Sequence, residues 1–339
     1  MLHILTTAMN AVLPIVLLSL LGYWLKHIGF LNEGFSKIGS KLVFRVCLAV
    51  TLFVNVYNID DFSAVPWDVV IYCLVAISLL FVFGLVSAVI TTPIPARRGV
   101  ILHGVFRSNF AIIGLSLAAS LGGDDAMSVA SVVSAFAIPL YNVLGVISLT
   151  IFSGRGERRY SPVTFLSDVL KNPMIIGAIA GAVCIVLRGL QTALLGDVIF
   201  SLKRDLPFVF DTLNKLKTMT TPLALLVLGA QFTFSAVKGL WKEIVVGTAW
   251  RLVLAPFIGI GLAVILTRYT DLISCDIISY PALIALFGSP VAVSTAVIAS
   301  EMGGDEQLAT QLVVWSSLGS VFTIYITVCI MMASGLLPV

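Results

Sequence analysis

The sequence predicts an all-α integral membrane protein with ten transmembrane helices, arranged as two inverted five-helix repeats. Three observations lead to this prediction. Of the 339 residues, 59% are hydrophobic and 11% are charged, whereas soluble domains carry about 25% charged residues, and the mean hydropathy is +1.09. Apolar runs long enough to cross a bilayer recur along the chain. A polar turn, Gly-Gly-Asp followed by a second acidic residue, occurs at two corresponding places.

Ten apolar runs are each able to cross the hydrocarbon layer, which takes about 20 helical residues. Backbone polar groups must be paired within lipid, and the runs lack the alternation of barrel strands, so helices are predicted. The second run is the weakest, because Lys37, Lys41 and Arg45 interrupt its first half. In order, the runs are 4–25, 38–57, 67–90, 99–121, 128–152, 172–189, 219–237, 241–266, 279–300 and 308–333.

Basic residues are distributed unevenly between the two sides of the predicted bundle. With the connections assigned to alternate sides, eleven lysines and arginines fall on one side and six on the other. Because such residues accumulate in cytoplasmic loops, the first side is predicted to be cytoplasmic. An even number of helices then places both termini on the extracytoplasmic side of an inner or plasma membrane.

The longest connection, 188–218, contains the segment LPFVFDTLNKLK. Its apolar residues Leu206, Val209, Phe210 and Leu213 recur at helical spacing. This pattern predicts either a helix on the membrane surface or a solvated connector helix.

The two halves of the chain resemble each other weakly. The segment SLAASLGGDDAMSVASVV at 116–133 resembles VIASEMGGDEQLATQLVV at 297–314, with an offset of 181 residues. Each copy joins one run to the next, the fourth to the fifth and the ninth to the tenth. Since five runs separate the copies, the halves enter the membrane from opposite sides, as in inverted-repeat carriers. The predicted division is a first repeat at 1–152, a cytoplasmic basic loop at 153–171 and a second repeat at 172–339.

Helix-breaking residues occur at matching places in the fourth and ninth runs. The fourth run contains Ser108 and Asn109, followed by Gly114, and the ninth contains Ser289 and Pro290 within FGSPVAVSTA. The offset of 181 aligns Ser108 with Ser289 and Asn109 with Pro290. Corresponding breaks are typical of carrier sites, where freed amides and helix ends meet a ligand, so these five residues are predicted to bind substrate.

Other polar residues within the runs have two interpretations. Asn142, Gln231 and Ser294 are candidates for lining the same cavity, but they can also form bonds between or within helices. Thr295 has the same two interpretations as Ser294. His103 is either a proton-binding group or a satisfied interhelical donor.

Three arginines, Arg45, Arg107 and Arg251, lie within apolar runs at about 12–15 Å from the predicted cytoplasmic end. An arginine at a helix centre costs about 2.5–3.5 kcal/mol to insert, so these side chains are expected to face protein or water. No acidic residue lies at matching depth in the sequence, so the arginines predict electrostatic support for an anion. The alternative is that they reach back to the headgroups, and Arg45 fits this alternative best.

The segments RSNFAIIGLSLAASLGGDDA and ASEMGGDEQLATQLVVWSSLGSVFT resemble the bacterial auxin efflux carrier family. The resemblance implies ten helices in two inverted repeats, with broken helices four and nine crossing. It also implies transport of small organic anions, such as malate, malonate or auxin-like carboxylates. The sequence departs from the family at Ser116, where the family has a proline, and in the third run, which lacks the charged pair of plant members.

The favoured function is therefore an alternating-access carrier of small organic anions. An anion channel and an intramembrane enzyme are the alternatives, although the sequence contains no HExxH, no Gly-x-Ser-x-Gly and no aspartate pair within the runs. No cofactor, metal site or nucleic-acid partner is predicted. H+ and Na+ are both candidate coupling ions, membrane lipid surrounds the protein, and a homodimer is a candidate assembly.

Overall fold

The computed structural model describes residues 2–58, 66–152, 170–270 and 272–337, which are mostly helical. The predicted basic loop at 153–171 lies outside the described residues except for its last two positions. A one-turn helix, Leu202–Asp205, precedes α7. The other helices are α1 (Leu2–His27), α2 (Glu33–Tyr57), α3 (Trp67–Thr91), α4 (Pro95–Phe106), α5 (Leu115–Phe152), α6 (Pro173–Leu195), α7 (Pro207–Gln231), α8 (Phe234–Tyr269), α9 (Ser279–Gly288), α10 (Ser294–Glu301) and α11 (Glu306–Ala333).

The prediction of an all-α protein is confirmed for the described part of the chain. Its only extended pairing is an isolated antiparallel bridge between Ser108 and Val291. By length and composition, helices α2, α3, α5, α6, α8 and α11 each contain a segment apolar enough to cross a membrane.

Local sequence explains where several helices begin. Pro95, Pro173 and Pro207 occupy the first turns of α4, α6 and α7, where a missing amide proton costs nothing and φ is already helical. Asn172 caps α6 by accepting a hydrogen bond from an amide two residues later. Asp305 caps α11 in the same way, three residues ahead of the amide it binds.

The two Gly-Gly-Asp turns are both glycine-dependent. Gly123 has φ of +67° and bends α5 sharply. Gly303 has φ of +77° in the turn between α10 and α11. Residues with a Cβ rarely adopt positive φ, so each turn requires one glycine of its pair, the second in the first turn and the first in the second turn.

Two helices are interrupted at the places the sequence indicated. Between α4 and the start of the next helical segment at Phe110, three residues are non-helical. That segment, Phe110–Gly114, is a π-helical turn that leads into α5. Between α9 and α10, residues 289–293 are non-helical. Interrupted backbone inside a membrane protein requires protein partners for its amides and carbonyls, and the two interruptions provide them for each other, as described below.

The helices pack into two groups that each contain segments from both predicted halves. Helix α2 packs along α6, α1 packs along α7, and α7 also contacts α2. Helices α3, α4, α5, α8, α9 and α11 pack chiefly against one another. The interrupted segments belong to the second group, and a cavity separates them from α2 and α7.

The sequence-based interpretation of the long connection was wrong. Residues 207–231 form one continuous helix, α7, whereas the seventh helix was predicted to begin near 219. Of the apolar residues taken for one face of a surface helix, Phe210 is buried against Val54 and Tyr57 of α2, and Leu213 packs against this cluster. Leu206 and Val209 are half-buried. Helix α7 ends at Gln231, and α8 begins at Phe234 rather than near 241.

Candidate functional site

The interruption after α4 and the interruption after α9 pair with each other. The amide of Asn109 donates to the carbonyl of Pro290 at 2.8 Å. The amide of Ala292 donates to the carbonyl of Arg107 at 3.4 Å. Together with the isolated bridge, these contacts form a short antiparallel junction that satisfies backbone groups freed from the helices.

A single guanidinium binds the ends of both interrupted helices. Arg251, which is fully buried on α8, donates to the carbonyls of Val105 and Phe106 at 3.2 Å each. It also donates to the carbonyl of Leu286 at 3.3 Å and to that of Phe287. These carbonyls lie at the C-terminal ends of α4 and α9, where helices have unpaired acceptors and negative partial charge. Arg251 therefore compensates both ends at once.

A cavity of about 320 Å³ lies next to the junction. Its lining includes two cationic side chains, Arg107 and Lys217, and no Asp or Glu among the described residues. Polar groups line much of the remaining wall. They are Thr51, Asn55, Ser108, Asn109, Ser134, Tyr141, Asn142, Thr220, Thr221 and Ser294.

Arg107 is held at the wall of this cavity by four neutral partners. Its Nη2 donates to Asn142 Oδ1 at 2.7 Å and to Ser294 Oγ at 2.9 Å. Its Nη1 lies 3.4 Å from the carbonyl of Tyr141 and 3.4 Å from His103 Nε2. Because none of these partners is a carboxylate, the charge of Arg107 is solvated by dipoles and left without a counterion in this set.

Asn109 places a free donor at the cavity. Its side chain is 4% exposed, and its Nδ2 has no hydrogen-bond partner among the described residues. Ser108 Oγ lies 3.1 Å from the hydroxyl of Tyr141. A buried amide without a partner costs about 1–3 kcal/mol, so a ligand oxygen near Asn109 would recover that free energy.

Two helix N-terminal ends also meet at the cavity. The π-helical turn after Asn109 and helix α10, which begins at Ser294, both lack a side-chain cap. The first amides of a helix have no acceptor within that helix, and its N-terminal end carries about half a positive charge. Both ends therefore add positive potential next to the two cationic side chains.

The structure brings together part of the predicted site. Ser108, Asn109, Asn142, Ser294 and Arg107 all line the one cavity.

Gly114, Ser289 and Pro290 form its framework. A Cβ on Gly114 would lie 3.0 Å from the carbonyl of Ala285, so glycine lets the two segments approach closely. Ser289 Oγ donates to that same carbonyl at 2.6 Å, and Pro290 contributes its carbonyl to the junction.

Three predicted residues lie away from the cavity. Gln231 Nε2 donates to Ser40 Oγ at 3.1 Å and so joins α7 to α2. Arg251 binds the helix ends instead of the cavity. Arg45 is exposed on the π-helical turn of α2, Val43–Cys47.

Sequence reasoning missed the wall contributed by α2 and α7. Lys217, Thr220, Thr221 and Ala224 line the cavity and recur at helical spacing. Thr220, Thr221 and Ala224 fell within the predicted seventh run, 219–237, but were not singled out, and Lys217 was assigned to the preceding connection, 188–218. In the cavity lining, Thr220 Oγ1 lies 3.0 Å from the hydroxyl oxygen of Thr51.

Comparisons with known proteins agree with this picture. A family model described as "Membrane transport protein" matches residues 7–328. The chain is similar to an uncharacterised transporter of Methanocaldococcus jannaschii, with 23% identity over 255 residues that cover 73% of this chain and 76% of the relative. It is also similar to an uncharacterised transporter of Methanothermobacter thermautotrophicus, with 21% identity over 327 residues that cover 93% and 95%.

Proposed function

We propose that this chain, which belongs to the membrane transport protein family, is a secondary carrier of small organic anions and binds them in the cavity next to the junction. The proposed architecture is ten membrane-crossing segments in two inverted repeats, 1–152 and 172–339, linked by the basic loop. In this scheme, α4 with the start of α5 forms the fourth crossing segment, α9 with α10 forms the ninth, and the two cross at the junction. The substrates best suited are carboxylates such as malate or malonate.

The charge of the cavity wall is the observation that carries this proposal. Two cations, Arg107 and Lys217, line the cavity without an acidic residue among the described lining. At about 4 Å, two unit charges attract by about 4 kcal/mol in the effective dielectric of a protein. That gain exceeds the roughly 2.5–3.5 kcal/mol cost of placing one arginine at the centre of a membrane helix. An anion therefore makes the observed charge distribution favourable.

The binding groups follow from the geometry. A carboxylate oxygen near Asn109 would accept from its free Nδ2, while Arg107 turns from Ser294 to meet the same ligand. The two uncapped helix N-termini stabilise the negative charge without any side-chain rearrangement. A cavity of about 320 Å³ lies at the small end of the range for ligand sites, which suits a metabolite of a few carbons.

The position of the cavity is consistent with one state of an alternating-access cycle. Most of its lining residues on α2, α5 and α7 belong to the halves of the corresponding predicted runs that are nearer the predicted extracytoplasmic side. Transport would require the junction and its flanking helices to shift relative to α2 and α7, the helices on the opposite wall. A shift between these two groups would expose the same residues to the other side.

Uptake of radiolabelled malate into proteoliposomes tests the proposal. We expect Asn109→Ala to lower uptake about fivefold or more, since a buried donor without a partner is worth about 1–3 kcal/mol, and Arg107→Gln to lower it further. Asn214→Ala provides the matched control, because Asn214 lies on α7 but does not line the cavity. The proposal would be rejected if both cavity variants transported malate as the control does, or if the unmodified protein transported no carboxylate.

A further inference from the structure

His103 is a buried titratable residue that the proposed binding site does not use. It lies on the last turn of α4, is fully buried, and stacks on Phe106 with ring centroids 5.6 Å apart. Its Nε2 lies 3.4 Å from Arg107 Nη1. Its Nδ1 has no partner among the described residues. A Cβ on Gly145 would lie 2.8 Å from Nε2, so α5 closes tightly over this edge of the ring.

The contact with Arg107 defines where His103 carries its proton. A guanidinium only donates hydrogen bonds, so the ring nitrogen facing it must present a lone pair. Nε2 is therefore the acceptor, and the single proton of the neutral ring is on Nδ1. A second proton must bind at Nε2, the position towards which Arg107 Nη1 now points. Protonation of His103 and its contact with Arg107 exclude each other.

We propose that His103 takes up a proton at Nε2 when an anion binds to Arg107, so that the carrier moves its anion together with H+. This inference rests on the proposed function. A carboxylate in the cavity draws the guanidinium away from His103 and frees Nε2. It also supplies the negative charge that two adjacent buried cations require, which no acidic residue of the described lining provides.

Coupling between the two events is reciprocal. If the anion favours protonation of His103, then protonation must favour anion binding by the same factor. Without the anion, a protonated ring would place a second cation about 3.4 Å from the guanidinium of Arg107. The empty carrier therefore keeps His103 neutral, and the loaded carrier holds one more proton.

Several other titratable groups around α4 bind partners other than His103. Arg251 binds helix-end carbonyls, and the hydroxyl of Tyr72 donates to the carbonyl of Gly259. Glu243 and Asp305 both bind Arg97 at the other end of α4, at 2.9 and 3.1 Å, about 9 Å along the helix from His103. The remaining titratable or charged residues on the elements packed against α4 are Asp68, Cys73, Asp124, Asp125, Tyr141, Lys238, Lys242, Arg268, Tyr269, Glu301, Glu306, Tyr325 and Cys329.

The test compares His103→Gln with the unmodified protein and with His27→Gln. Glutamine can place a carbonyl oxygen where Nε2 accepts from Arg107, but it does not titrate. His27 is exposed at the end of α1 and is the matched control. Malate binding is measured by isothermal titration between pH 6.5 and 8, where malate stays ionised. Internal acidification of proteoliposomes during malate uptake is followed with a pH-sensitive dye, in sodium and in choline buffers.

We expect the unmodified protein and His27→Gln to bind malate up to about tenfold more tightly per unit fall in pH, the limit for one linked proton. Both should acidify the vesicle interior during uptake, in either buffer. His103→Gln should bind malate with the same affinity across this pH range, and its uptake of malate should not acidify the vesicle interior. If His103→Gln does not fold, the dye measurement on the unmodified protein tests the inference by itself. Malate uptake without acidification of the vesicle interior overturns it.

Three further outcomes overturn the inference. One is a pH dependence that persists in His103→Gln. The second is uptake by the unmodified protein that depends on sodium and moves no proton. Both leave the proposed function standing. The third is an unmodified protein that neither binds nor transports malate or the other carboxylates tested, which removes the proposed function as well.

Discussion

Replacing Arg251 with methionine removes the guanidinium donors that bind the last carbonyls of α4 and α9 while keeping an unbranched side chain. Four carbonyls would then be buried without their present partner. At about 1 kcal/mol each, the low end for an unsatisfied buried group, the loss is about 4 kcal/mol. A free-energy change of 1 kcal/mol shifts the Tm of a mid-sized domain by about 2–4 °C, so we expect a fall of about 8–16 °C.

Thermal unfolding in detergent, followed by the fraction that remains monodisperse after heating, measures this shift. Arg45→Met is the matched control. Both arginines lie on π-helical turns of membrane-type helices, but Arg45 is exposed, so its replacement should change the Tm by less than about 2 °C. Arg251→Lys keeps the charge, but lysine can bind fewer of the carbonyls. Its Tm should therefore lie between those of Arg251→Met and Arg45→Met. If Arg251→Met melted within 3 °C of the unmodified protein, at about the control's value, the helix-end role assigned to Arg251 would be refuted.

Two further predictions concern the cavity. Lys217→Gln should weaken malate binding about tenfold, a loss of about 1.4 kcal/mol, because a positive charge in the cavity lining is removed. Lys215→Gln, on the exposed side of α7, should leave malate binding unchanged. Equal titration curves for the two variants would show that Lys217 does not belong to the site. Gly145→Ala should abolish most malate uptake, because the added Cβ would lie 2.8 Å from His103 Nε2. Gly189 has open space around it, so Gly189→Ala should transport malate normally. Normal uptake by both variants would show that transport does not need the close packing of Gly145 on His103.

The helix interruptions were predictable because local chemistry causes them. Pro290 cannot continue the hydrogen-bond pattern of a helix, and the repeated Gly-Gly-Asp turn allowed its position to be compared with that of Asn109. Both interruptions are present in the structure. That the two breaks belong to one site could be inferred from the inverted repeat. Their crossing could be inferred only through the family resemblance, because residues 181 positions apart give no local signal of contact.

The three arginines show that the depth of a residue along a helix does not determine what its side chain contacts. All three were placed at similar depth from the sequence and were predicted to support an anion, with reaching back to the headgroups as the alternative that fitted Arg45 best. The structure separates them: Arg107 lines the cavity, Arg251 binds helix ends, and Arg45 is exposed. The direction in which a side chain points around its helix depends on tertiary packing, and hydropathy along the chain does not report it. The same limit hid Lys217, whose helix was predicted to begin two residues after it.

The positions of Arg251 and Arg107 bear on the charge balance at the junction. Two antiparallel interruptions bring four helix ends to one place, two with negative and two with positive partial charge. Left alone, these partial charges would largely cancel, and the cavity would have little preference for anions. Arg251 neutralises the negative pair from within the core, where it is fully buried. The positive pair remains and faces the cavity with Arg107 and Lys217. An arginine that never touches the ligand would in this way set the sign of the potential that the ligand meets, which is why its loss should weaken anion binding as well as stability.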